Sequence, residues 1–288
     1  MLMSALANVF NIIGNVVLVL WLQMGVAGAA ISTLAARAFC ALVVMWRLAH
    51  PKGIQPIVVK EYRKIRPQMS LIRNILRIGI PSGIENGMFQ FGKLAIQSTI
   101  STLGTTAMAA QAMANTFENL NGVAAVGTGI GLMTVVGQCM GAGEKEEAVY
   151  YVKKFALIAE IALIISCLAM YLAARPTAIL SGMTPESMEQ FLHVMLLISI
   201  VKPIFWVPSF VFTYGLRAAG DVKFAMIVSC LTMWLFRVTL TIFLCNVMHM
   251  GIVAAWIGMF SDWGVRAIIF TKRFVSKKWL NYSVIGRK

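Results

Sequence analysis

The sequence predicts an all-α polytopic membrane protein with about eight transmembrane helices. Composition is the first reason: 59% of the 288 residues are hydrophobic, 12% are charged and the mean hydropathy is +0.79. A soluble domain carries about twice that share of charge. The second reason is the recurrence of apolar runs of about 20 residues, the length that crosses a bilayer as a helix. The third is the placement of basic residues, which gather between those runs. The hydrocarbon offers no water to the backbone, so spanning runs form helices. The weak alternation of a membrane barrel is absent.

Taken in order, the candidate spans lie near 3–22, 26–48, 71–102, 105–138, 155–174, 191–216, 222–246 and 251–271. A short turn around Met24-Gly25 joins the first two. "HPKGIQPIVVKEYRKIRPQMSLIRN" (His50–Asn74) then breaks the apolar pattern with prolines and charge, and anionic lipid head groups are its expected partner. "GAGEKEEAVYYVKKF" reads as a turn followed by an amphipathic surface helix ahead of the fifth span. Pro203 and Pro208 interrupt the sixth span and free backbone carbonyls there. In the last span Asp262 and Arg266 stand one helical turn apart and are expected to pair, with Arg237 nearby.

The formal net charge is +14, a balance that elsewhere suggests nucleic acid. Placement decides otherwise. If the chain starts in the cytoplasm and alternates sides, nineteen of its 25 Lys and Arg fall in cytoplasmic segments, and Arg175 falls opposite. This is the positive-inside asymmetry, so both termini are expected in the cytoplasm and the protein in the cytoplasmic membrane. No nucleic-acid partner is expected. Cys40, Cys139, Cys167, Cys230 and Cys245 sit in or at the edge of spans without close pairing, as small packing residues do. His50, His193 and His249 are scattered and form no metal motif.

Residues Met24–Leu48 align without gaps to Met250–Phe274: both open on Met-Gly at a non-cytoplasmic turn and end with a basic residue at the cytoplasmic exit. The preceding spans match in position and length. Same-sense repeats of this kind imply two bundles related by an axis along the membrane normal. The expected domains are 1–48, the last two helices of an N-terminal lobe; 49–70, a basic linker; 71–272, a six-helix C-terminal lobe; and 273–288, a basic tail. The counterpart of residues 71–221 has no match upstream, so a missing N-terminal part of four helices is expected.

The third and fourth spans carry the chemistry. At about 100° per residue, Asn86, Gln90, Lys93 and Gln97 form one narrow polar stripe, and Glu85 lies beside it. Gln111, Asn115 and Glu118 form a second stripe, with Asn119 next to it. Facing stripes on neighbouring helices can enclose an aqueous or ion-binding cavity. A charge at the bilayer centre costs at least roughly 2.5–3.5 kcal/mol, so Glu85, Lys93 and Glu118 need partners or water. Two readings stand. Either Lys93 pairs with one acid and leaves the other carboxylate for a cation or a proton, or all three form a satisfied network that holds helices together.

At this point the residues carry a family resemblance. "NVFNIIGNVVLVLWLQMGVAGAAISTLAAR", "LRIGIPSGIENGMF", "TTAMAAQAMANTFENL", "VVGQCMGAGEKEEA" and "YGLRAAGD" resemble, in order, the later helices of multidrug and toxic compound extrusion (MATE) transporters, so that the chain would hold helices five to twelve. The resemblance implies twelve helices in two six-helix lobes across a V-shaped cavity. It also implies export of organic, often cationic, compounds in exchange for sodium ions or protons. Some bacterial members carry an acid where Glu85 stands, as part of a cation site, so a sodium ion at Glu85 is the metal the resemblance suggests. Those members also use an acid in the tenth helix. Here that helix, 191–216, offers Lys202, Trp206 and Tyr214 instead. Glu85, Glu118 and Lys93 are therefore the expected cation-coupling residues. Asn86, Gln90, Gln97, Gln111, Asn115, Trp206 and Tyr214 are expected to line the cavity. Beyond sodium or a proton as coupling ion, no cofactor is expected.

The leading function is a secondary active antiporter that exports organic, expectedly cationic, compounds. A flippase for lipid-linked saccharide precursors and an inactive fragment are the alternatives. An intramembrane enzyme fits worst, because no paired aspartates, Gly-x-Ser-x-Gly or His-Glu-x-x-His occur in the sequence.

Overall fold

Two stretches, residues 2–49 and 68–281, are described by the computed structural model. They form two compact units, Met1–Met69 and Ser70–Lys288. Most of the expected linker and the end of the expected tail, 282–288, lie outside the described residues.

The first unit is a hairpin. Helix α1 runs over Leu2–Asn15 and continues as a π-helical stretch, Val16–Trp21; α2 covers Gly25–Ala49. The turn between them needs left-handed backbone at Gln23 and Gly25. The helices approach where side chains are small: a Cβ on Gly28 would lie 2.9 Å from the carbonyl oxygen of Leu18. Ser32 donates to the Asn11 carbonyl at 2.9 Å, and Phe10 stacks on Phe39 with ring centres 5.5 Å apart. These contacts descend one helix as they climb the other, so the pair is antiparallel.

The second unit holds α3 (Met69–Ser101), α4 (Thr105–Ala142), α5 (Lys145–Leu180) and α6 (Pro185–Ala218). A rod follows, made of α7 (Val222–Thr232), a π-helical segment (Met233–Val238) and α8 (Thr239–Asn246). The unit ends in α9 (Val253–Val275) and a 3-10 turn, Lys278–Asn281. The main core lies among α4, α5, α6 and α9, where Ala110, Ala114 and Ala125 face Phe191, Trp256, Phe270 and their neighbours. Small residues let helices approach in lipid, where no hydrophobic force drives them together. Gly129 is such a place, since a Cβ there would strike the Tyr214 ring at 2.4 Å. Leu157, Ile161, Ile165, Leu168 and Leu172 of α5 are exposed, as a lipid-facing surface requires.

Among the described residues, six helices are long and apolar enough to cross a membrane: α2, α4, α5, α6, the Val222–Asn246 rod and α9. The other two expected spans fall short for different reasons. Ala5–Trp21 is a shorter apolar helix, while α3 has 33 residues but is diluted by its polar stripe. Both are helical, so the fold is that of a multi-pass, all-helical membrane protein.

Three local expectations change. The charged stretch after Gly143 is no separate surface helix, because α5 runs unbroken from Lys145. Thr184 caps α6, accepting from the Ser187 N–H at 3.3 Å, with Pro185 at the first helical position, so this helix starts six residues before the apolar run. Residues after 272 do not all form a solvated tail. Helix α9 continues to Val275, and the following turn buries Trp279, whose indole N–H donates to the Phe274 carbonyl at 3.2 Å.

Candidate functional site

Helix α3 meets the rest of its unit largely through side chains. Phe89, Ile96 and Ile100 pack on Met233, Val238 and Ala255. Two cavities open beside it, one towards α6 and one towards α4.

The smaller cavity, about 170 Å³, is lined by Glu85, Asn86 and Phe89 of α3, by α6 from Ser209 to Arg217, by Ser229 and by Arg266. Its centre is an ion pair: Arg217 Nη2 donates to Glu85 Oε1 at 2.5 Å. The second carboxylate oxygen, Oε2, is buried and has no hydrogen-bond partner. Opposite, Arg266 Nε donates to Asp262 Oδ1 at 2.7 Å and to Thr232 Oγ1 at 2.9 Å, and Nη2 donates to the Ser229 carbonyl at 3.0 Å. The expected Asp262–Arg266 pair is therefore formed within α9, and the Arg266 bonds to Thr232 and Ser229 anchor that helix to α7. Ser209 and Thr213 add hydroxyls to this wall. Both donate to backbone carbonyls, those of Trp263 and Ser209, at 2.6 and 2.7 Å.

The larger cavity, about 440 Å³, lies between the two polar stripes. Gln90, Lys93 and Gln97 face Gln111, Asn115, Glu118 and Asn119, with Arg237 and Met259 completing the wall. Glu118 takes the ammonium of Lys202 at 2.8 Å, and the same ammonium donates to the Glu118 carbonyl at 2.9 Å. Gln111 is fixed by Trp256, whose indole N–H donates to Oε1 at 2.8 Å.

Phe89 stands between the two spaces. It lines the smaller, while the ammonium of Lys93 lies 5.4 Å from its ring centre and the guanidinium of Arg237 5.5 Å. Arg266 sits at 5.5 Å from the same ring. Cation–π contacts of this kind are worth about 0.5–1 kcal/mol when exposed, and they leave the positive charge uncancelled.

The expected site residues are thus brought together, but differently from the sequence reading. Glu85 with Asn86 and Tyr214 belongs to one cavity; Glu118 and Lys93 with Gln90, Gln97, Gln111 and Asn115 belong to the other. Lys93 pairs with neither acid. Each acid takes a cation from α6 instead, because Lys202 and Arg217 project from that helix toward α4 and α3. Trp206 lines neither cavity: it is buried, stacks on Phe210 with ring centres 4.9 Å apart, and lies under the Lys202 ammonium. Sequence reasoning gave no site role to Arg217, Ser209, Thr213 or Ser229. It also passed over Glu160, a partly buried acid inside α5. Arg217 was legible as a basic residue at a cytoplasmic exit; that it folds back on Glu85 was not.

A family model described as MatE matches residues 81–243. A curated relative from Thermotoga maritima named "Probable multidrug resistance protein NorM" is 24% identical over 294 residues, covering 100% of this chain and 62% of its own. The "Uncharacterized transporter YisQ" of Bacillus subtilis is 26% identical, covering 95% of this chain and 60% of its own length. The chain therefore spans about 60% of the length of these relatives. Among solved structures, "Crystal structure of MATE in the straight conformation" matches with a TM-score of 0.77 and 20% identity over 96% of this chain and 62% of that one. "MATE transporter ClbM in complex with Rb+" matches with a TM-score of 0.75 and 16% identity, covering 96% and 61%. These likenesses concern the fold.

Proposed function

The chain belongs to the MatE family of transporters, and from that premise we propose that it forms the C-terminal part of a secondary active exporter of organic compounds driven by an ion gradient. Multidrug resistance is named for the Thermotoga maritima relative and transport for the Bacillus subtilis one. The observation that carries the coupling reading is Glu85, an acid 8% exposed inside an apolar bundle, held by Arg217 and with one oxygen unpartnered. Removing its charge would release Arg217. A proton on the carboxylate or a sodium ion beside it would each do this. Glu85 is then the principal coupling carboxylate. Glu118 is secondary, its charge already answered by Lys202, and Lys93 modulates the larger cavity.

Residues 71–272 act in this reading as a six-helix lobe that rocks against an N-terminal lobe containing α1, α2 and four further helices. Positive-inside placement supports a cytoplasmic membrane location with both termini in the cytoplasm. Organic cations are the expected cargo. A second reading, flipping of lipid-linked saccharide precursors, is favoured by Arg217, Arg237 and Arg266 on the cavity walls.

The test is transport by a full-length exporter containing this chain, in proteoliposomes with an imposed pH or sodium gradient and ethidium as cargo. Glu85→Gln abolishes gradient-driven uptake while insertion and folding persist. Normal uptake by that variant, with an unchanged ion requirement, places coupling elsewhere. Uptake of a labelled lipid-linked saccharide without ethidium transport selects the second reading.

A further inference from the structure

The two cavities of the second unit are walled or bordered by five cations, Lys93, Lys202, Arg217, Arg237 and Arg266, and by three carboxylates, Glu85, Glu118 and Asp262. Each carboxylate takes one cation at 2.8 Å or less. Lys93 and Arg237 are left over, and both line the larger cavity.

We infer that this larger cavity is a binding site for an organic anion, its carboxylate or similar group held between Lys93 and Arg237. Electrostatics favours it first. Glu118 is the acid on this wall, and Lys202 answers it, so the lining keeps an excess of positive charge. Arg237 is drawn toward Asp262 and Glu118 but repelled by Arg266, and Lys93 is repelled by Arg237 and drawn toward Glu118. A bound anion removes that repulsion. Hydrogen bonding is the second argument. Arg237 Nε is buried and has no hydrogen-bond partner, a donor left unmade at some cost. Guanidinium meets carboxylate as a planar two-donor fork. The backbone places the arginine there: it sits in the π-helical segment Met233–Val238, a widened turn of the kind that recurs at functional sites.

Shape is the third argument. A volume of about 440 Å³ lies within the range of roughly 300–1,000 Å³ typical of small-molecule sites. Leu94 and Met259 supply an apolar surface for the body of a ligand, and the amides of Gln90 and Gln97 supply further donors. Zwitterions and amphipathic acids bind here better than simple cations, at a site additional to any path for cationic cargo. The binding site does not rest on the export reading.

The experiment uses the purified chain in lipid nanodiscs and three probes of equal size, benzoate, benzamide and benzylammonium, with binding measured by saturation-transfer NMR. Benzoate is expected to bind at least about tenfold more tightly than benzamide, and benzylammonium not at all, as expected for a charge-assisted contact. Lys93→Met and Arg237→Gln should each weaken benzoate roughly tenfold, and together remove it. Lys93→Arg should keep it, which separates lost charge from lost fold. Equal binding of benzoate and benzamide, preference for benzylammonium, absence of benzoate binding, or undiminished binding by the double variant each overturns the inference. Benzoate binding by this chain, with no gradient-driven export by an exporter that contains it, would sink the export reading and leave the site standing.

Discussion

Lys202 and Glu118 offer a prediction whose size follows from their unequal burial. The lysine side chain has no solvent exposure, while that of Glu118 retains 20%. The ammonium has two acceptors, Glu118 Oε1 at 2.8 Å and the Glu118 carbonyl at 2.9 Å, with the Trp206 ring centre 5.9 Å away. Glu118→Leu strands a buried charge on a single carbonyl and should cost about 3–5 kcal/mol, the usual penalty for breaking a buried pair from one side. Lys202→Met removes the deeply buried partner and leaves a carboxylate that water still reaches, which should cost only about 1–2 kcal/mol. Changing both replaces the pair with apolar groups of similar volume, a substitution that is often neutral. The double variant should therefore lie within about 1 kcal/mol of the parent, with a coupling energy of at least about 3 kcal/mol. Reversible unfolding in bicelles by steric trapping measures all four corners of the cycle. Additive single effects, or a Lys202→Met cost equal to that of Glu118→Leu, would refute the reasoning, because either result means that burial does not set the penalty.

Gly258→Ala should destabilise by about 1–3 kcal/mol through overpacking, since its Cβ would fall 2.4 Å from Thr241 Oγ1 and 2.8 Å from the Arg237 carbonyl oxygen; thermal unfolding of the variant checks this, and an unchanged midpoint would show that the rod yields. Asp262→Ala should cost about 3–5 kcal/mol because Arg266 is 3% exposed and loses its carboxylate, and the same unfolding assay reads it. In a cysteine-free background, Ser181→Cys should react with a membrane-impermeant maleimide in intact cells and Glu146→Cys should not. Both positions are exposed at opposite ends of α5, and the reverse pattern would invert the proposed topology.

The hydrophobic length of each span and the polar stripes of α3 and α4 were legible because both are local. Helical period alone put Gln90, Lys93 and Gln97 on one line, Gln111, Asn115 and Glu118 on another, and the two lines do share a cavity. The ion pairs were not legible, because they join positions far apart in the chain: Glu85 meets Arg217 across 132 residues and Glu118 meets Lys202 across 84. A chemically sensible partner on the neighbouring polar stripe, Lys93, hid them. Arg237 escaped for another reason. The π-helical turn that carries it departs from the roughly 100° per residue on which the reading of faces depends. Trp206 looked like cavity wall by residue type, yet its face of α6 points into the core.

An ionisable residue inside a bilayer invites a functional reading because its insertion is costly. That cost can be met in two ways with opposite consequences. A charge matched inside the protein, as in the Arg266–Asp262 and Lys202–Glu118 pairs, is stable and offers little to a ligand until the pair is broken. A charge that remains unmatched keeps its cost in the resting protein and recovers it on binding. Functional weight in this unit therefore falls on what remains after the pairs are made. On the α6 side that remainder is Glu85 Oε2, a buried acceptor without a hydrogen-bond partner. On the α4 side it is Lys93 and Arg237, donors with no carboxylate of their own. Phe89 separates the two, in contact with Arg266 on one side and with both free cations on the other. Neutralising Glu85 adds positive charge on one side of that ring, and an anion subtracts it on the other. On the proposed reading, these two events favour each other electrostatically.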